Sequence, residues 1–120
     1  MGRLLVHIVT GPENPTRVAL GLLIAKTALG GGHSVDVFFA GDGVSTLRPE
    51  TLDVGQGIGT GSFREHVDAL VAGGATLYAS GMSSKARGLG PDGVGGLPVT
   101  MVPPPRLVEL VFEADRILVF

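Results

Sequence analysis

Residues 77–89 read LYASGMSSKARGL. An apolar run ends at Ser80 and Gly81, two further serines follow at 83 and 84, and cations stand at 85 and 87. Gly81 would let a ligand approach the backbone closely, Met82 would form an adaptable apolar wall, and the hydroxyls of Ser80, Ser83 and Ser84 can donate or accept. If a helix opens here, the amides of Met82 to Ser84 point outward and cradle an anion. The competing reading is a turn whose serine only caps that helix. Lys85 and Arg87 add positive charge to the loop if they face it, and are otherwise solvated. Asp42, between Gly41 and Gly43, poses the same choice between holding a donor group and capping the segment after it. So do Glu13 and Asn14 beside Thr10 and Gly11, with capping favoured for Asn14.

Other chemistries lack their residues. There is no cysteine, which removes disulfides, thiolate catalysis and thiolate metal sites. His7, His33 and His66 form no pair with metal-ligand spacing. The segment YASGM lacks the first glycine of a nucleophile elbow. GQGIGTG, residues 55–61, has the wrong glycine spacing for a dinucleotide fingerprint and follows no clear strand, and no P-loop pattern occurs. Nothing calls for a cofactor.

The elements that must position these loops alternate. RLLVHIV (3–9) is a short apolar run expected to form a buried strand. Asn14-Pro15 starts a helix, which is expected over 15–29 and stops at the glycines from Gly30. SVDVFFA (34–40) is a second strand, followed by a turn and short helix at GDGVSTL. Residues 49–61 show no usable period and are expected to be a loop. Ser62 and Glu65 fit a capping box for a helix over 63–73. ATLYA (75–79) is a third strand, with a short helix over 83–88. LPVTMV (97–102) is a fourth strand, PPPRLVELVFEAD a helix with Leu107, Leu110, Val111 and Ala114 on one face, and RILVF (116–120) a fifth strand.

Strands alternating with helices imply an α/β protein with a parallel sheet covered on both faces. In such sheets ligands bind at the carboxyl ends of the strands. The loops after the first three strands are therefore expected to form one pocket from Thr10, Gly11, Asn14, Asp42, Gly43, Ser80, Gly81, Met82, Ser83 and Ser84.

The 120 residues suit one domain, and 44% hydrophobic content with 20 glycines places apolar elements between flexible loops. A net charge of −2 gives no electrostatic footprint for nucleic acid or an anionic membrane. The first apolar run is too short for a signal sequence, and no stretch reaches the ~18 residues of a spanning helix. A cytoplasmic protein is expected. The segment TRVALGLLIAKTALG is apolar around its whole circumference, with only Arg17 and Lys26 charged. Such a helix needs cover on every side, and in so small a domain a second copy of the chain is the expected cover.

LLVHIVTGPENPTRVALGLLIAKTAL, HSVDVFFAGDGV, LYASGMSSKARGL and LVELVFEADRILVF, in this order and spacing, resemble the DsrE/DsrF-like family over nearly the whole chain. The resemblance implies a three-layer α/β/α fold with a mainly parallel five-stranded sheet. It also implies a homo-oligomer, a trimer or hexamer. Some members pass a persulfide in sulfur-relay systems, held on a cysteine in the loop after the third main strand. Here that position is Ser80, seven residues before Arg87. A hydroxyl cannot carry a persulfide, so that role does not transfer. The expected function is a non-catalytic oligomer binding a small ligand or a partner protein. The alternative is a small-molecule enzyme using Ser80 or Asp42.

Overall fold

The computed structural model describes residues 1–120. The main strands are β1 (Arg3–Ile8), β2 (Ser34–Phe39), β5 (Thr76–Ser80), β6 (Val99–Val102) and β7 (Arg116–Val119), and a small hairpin supplies β3 (Gln56–Gly57) and β4 (Gly61–Ser62). The helices are α1 (Pro15–Gly30), α2 (Pro49–Val54), α3 (Phe63–Ala72), α4 (Gly81–Ala86) and α5 (Pro104–Glu113). The five main strands form one sheet in the order β6-β5-β2-β1-β7, and every neighbouring pair is parallel.

The chain moves outward from β1 through β2 and β5 to β6, then crosses back to the other side of β1 for β7. Parallel crossovers are right-handed, so reversing direction sends α5 to the opposite face from α1 and α3. That reversal makes the three layers. One core cluster lies under α1 and α3 and includes Val6, Ile8, Leu22, Val37, Phe39, Phe63 and Leu70. The other is smaller: Leu5, Phe38, Tyr78 and Leu110 under α5.

Local signals set most boundaries. The Asn14 side chain accepts from the Arg17 amide at 3.3 Å, and Pro15 occupies the first turn, where its missing N–H costs nothing. Ser62 accepts from the Glu65 amide at 3.3 Å, but the return bond of the capping box is not made. Residues 49–61 depart from the loop expected there. Pro49 opens α2, whose Leu52 is fully buried, and the glycines beyond fold into the β3–β4 hairpin. Six residues are too few to show a helical period, so α2 left no legible pattern. The hairpin is fastened from outside: the Ile58 amide donates to the Thr16 hydroxyl at 3.0 Å, and His66 Nε2–H to the Thr60 carbonyl at 2.7 Å.

Much of the cover of α1 comes from within the chain. The sheet lies beneath it, α3 and the hairpin lie beside it, and Phe120 packs against Gly21, where a Cβ would stand 3.0 Å from the ring. Much of its apolar circumference is thus met within the chain, while Leu20 stays 38% exposed and Leu23 and Ile24 are only partly covered.

His7 sits half-buried on the α5 face of β1, edge-on to Phe38 at 5.7 Å between ring centres. Burial lowers its imidazole below the ordinary value of about 6.5. The unfolded chain therefore takes up a proton there before the native state does. The stability this gives is complete above about pH 6.5 and declines as pH falls through that value toward the lower native one. His7→Leu is expected to flatten this part of the pH dependence. Urea denaturation at about pH 7.5 and about pH 5.5 checks it: the parent is expected to lose stability between the two values and the variant to lose less.

Candidate functional site

The three loops expected at one edge do meet there, because β5, β2 and β1 are adjacent in the sheet. Glycines bring the first two together. A Cβ on Gly11 would stand 2.4 Å from the Asp42 carbonyl oxygen, and one on Gly43 would stand 2.2 Å from that of Ile8. Gly41, at φ +56°, turns its amide to donate to the Ser83 hydroxyl at 2.9 Å, joining the second loop to the third. Arg87 spans the same pair, with Nη2 on Asp42 Oδ1 at 2.8 Å and Nη1 on the Ser83 carbonyl at 3.1 Å. The Arg87 carbonyl accepts from Arg48 in turn.

Several side chains hold the backbone. The Ser80 hydroxyl accepts the Ser83 amide at 3.1 Å and caps α4. This cap starts α4 at Gly81, earlier than the spacing alone suggests. Asn14 caps α1, and Glu13 accepts the Gly11 amide at 2.9 Å. The Thr10 amide donates to the Phe120 carbonyl at 3.3 Å. Ser84 is fully enclosed, its hydroxyl without a partner, so it faces the interior and not the loop edge. Met82 is exposed. Gly81 does not have positive φ, and a Cβ there would come no nearer than 3.6 Å to Val102. A side chain at this position therefore meets no backbone strain.

Two hollows open nearby, and no residue lines both. One, of about 390 Å³, is bounded by Gly81, Lys85, Gly88, Leu89, Gly90, Pro91 and Met101. The other, of about 340 Å³, is a shallow one between Pro12, Glu13, Asp42 and Ser45. Asp42 and Gly81 therefore border different hollows, and the network through Arg87 and Ser83 ties the two loops together. Arg48 is the participant that the sequence reading missed. It is one cation in a short segment, and its partner is 39 residues away, so no local pattern announces it.

Cations are gathered at this edge. Lys85 stands at the first hollow. The Asp42–Arg87 pair is partly solvated, and such pairs are worth about 1 kcal/mol or less. A ligand carboxylate or phosphate could displace Asp42 from the guanidinium at small cost. No group of three histidine or acidic side chains is placed to hold a metal ion. Ser80→Ala is expected to remove the α4 cap and lower stability by about 1 kcal/mol, read from the denaturation midpoint.

The fold is shared with solved structures. The ychN protein of E. coli is 17% identical over the full length of both chains, with a TM-score of 0.82. A protein of unknown function from Methanobacterium thermoautotrophicum is 18% identical over the full length of both, with a TM-score of 0.75. A conserved protein of unknown function from Bacteroides thetaiotaomicron is 14% identical, covering 99% of this chain and 95% of its own, with a TM-score of 0.69. Identities this low speak for the fold alone. No curated protein gave a significant match. No helix is long and apolar enough to cross a membrane. The DsrE/DsrF-like family model matches residues 3–120, and the chain belongs to that family.

Proposed function

We propose that this chain is a non-catalytic binding member of its family, a homo-oligomer that takes a small anionic or polar ligand at the carboxyl edge of the sheet. The observation that carries this reading is the state of Ser80. It stands where the resemblance puts a sulfur-carrying cysteine, and its hydroxyl accepts the Ser83 amide as a helix cap. None of the side-chain hydrogen bonds of His7, His33 or His66 reaches the Ser80 loop, so a histidine base for Ser80 is missing. The enzyme alternative would need Asp42 in that role, and Asp42 is engaged by Arg87. A docked partner protein presenting a carboxylate or phosphate would use the same cations.

Thermal-shift titration with small carboxylates, nucleotides and thiols tests the reading. At least one anionic class is expected to raise the melting temperature, and Arg87→Ala to abolish that shift. No shift from any class would overturn ligand binding at this edge. A turnover lost in Ser80→Ala would instead establish the enzyme alternative. Incubation with a persulfide donor is expected to leave the mass unchanged, because no thiol exists to accept the sulfur. A reductant-sensitive gain of ~32 Da would contradict that chemistry.

Self-association as a homotrimer or homohexamer belongs to the same reading. Its support is the apolar surface left bare by α5 and β7.

A further inference from the structure

A single helix covers the second face of the sheet. A helix is about 10 Å across, while five strands spaced about 4.8 Å apart span roughly 19 Å between the outermost axes. Leu110 of α5 packs with Leu5, Phe38 and Tyr78, and Arg106 lies over the Tyr78 ring at 5.7 Å. The helix therefore lies over β1, β2 and β5, where Leu5, Phe38 and Tyr78 are buried, and the β7 edge of this face is left bare. Ile117 pairs with Leu5 and Val119 with His7, which places both on the α5 face. Strand alternation puts Val9 there too. On α5, Val108 and Phe112 stand one turn apart on the side away from the buried Leu110, and form the outer rim of the helix.

These residues are exposed to a degree that a finished surface would not show. Phe112 is 86% exposed, Val119 55%, Val108 54%, and Ile117 and Val9 40% each. Together they present on the order of 450 Å² of apolar side chain, within the range of the largest patch on a typical monomer and of the kind that is often functional. The two sheet edges also differ. Strand β6 is flanked by Pro98 and by Pro103, Pro104 and Pro105, which discourage further pairing. Strand β7 has no proline or bulge, its one charge is Arg116 at its start, and its outer backbone groups are free.

Building on the self-association proposed above, we infer that the strip formed by Phe112, Ile117 and Val119, with Val108 and Val9, is where a second copy of this chain packs. The area selects the occupant. One side of a standard interface buries about 800 Å², of which about 65% is apolar at homodimer contacts, close to what the strip offers. A copy supplies the same apolar surface in return. The five residues carry no charge that would select a charged partner. A peptide added only to the four-residue edge of β7 would leave Phe112 uncovered.

Sedimentation velocity of the full chain at micromolar concentration, with Phe112→Glu and Ile117→Lys as separate variants, tests this. Phe112 contributes nothing to either core, so its variant is expected to fold, as circular dichroism will report. The parent is expected to sediment as an oligomer, and both variants to associate at least about tenfold more weakly. An oligomer that survives both substitutions would overturn this surface while leaving self-association standing. A monomeric parent would overturn both, and would point to a peptide or another protein as the occupant.

Discussion

Replacing Gly43 by alanine is expected to destabilise the protein by about 3 kcal/mol, at the upper end of ordinary overpacking. The new Cβ would stand 2.2 Å from the Ile8 carbonyl oxygen and 3.0 Å from its carbon. Both are backbone atoms at the end of a central strand, so no rotamer change relieves the clash. Relief requires the loops after β1 and β2 to separate. Gly11 guards the same contact from the other side, 2.4 Å from the Asp42 carbonyl. Gly11→Ala should therefore be similarly damaging, and the double variant less than additive, because one separation relieves both. Gly81→Ala is the contrast. Its Cβ would find ordinary contact, and at the first position of α4 alanine is expected to be neutral or to stabilise by up to about 1 kcal/mol. Urea denaturation of the three variants gives the ordering. A Gly43→Ala midpoint equal to the parent would show that the loops separate freely.

Phe38→Ala is expected to cost about 3–5 kcal/mol, a large share of the 5–15 kcal/mol that holds most domains together. The cluster under α5 has four buried members, and Phe38 lies between His7 and Tyr78, its ring stacked 6.2 Å from that of Tyr78. The cluster can close around the void only by shifting α5. The chain has one tyrosine and no tryptophan, so the near-ultraviolet signal reports this cluster. Phe38→Ala should alter that signal in the native state. Phe63→Ala should cost a comparable amount in the larger cluster and leave the signal in place. Equal signals from both variants would mean that the two faces of the sheet are not independent.

Of the site, the sequence announced the pieces that interact with their own neighbours. Ser80, Ser62 and Asn14 cap helices starting within three residues, and a cap needs only an acceptor beside a helix start. The strand–helix alternation was likewise legible, since apolar runs and caps are local, and it is enough to imply a parallel sheet with its loops at one edge. What gathers those loops was not legible. Gly41 meets Ser83 across 42 residues, Asp42 meets Arg87 across 45, and Arg48 meets Arg87 across 39. Strand order sets those meetings, and strand order is not written in any local pattern. The cover of α1 shows the same limit. Its composition asks for burial on all sides, but only the packed structure decided that α3, the β3–β4 hairpin and Phe120 provide part of it and leave Leu20 exposed. Further apolar surface is left open on α5 and β7. There the sequence looked ordinary, because the amphipathic pattern of α5 is satisfied by one side of the helix alone. Only the width of a five-stranded sheet against one helix leaves Val119 in the open, while Phe112 is open on the outer side of α5.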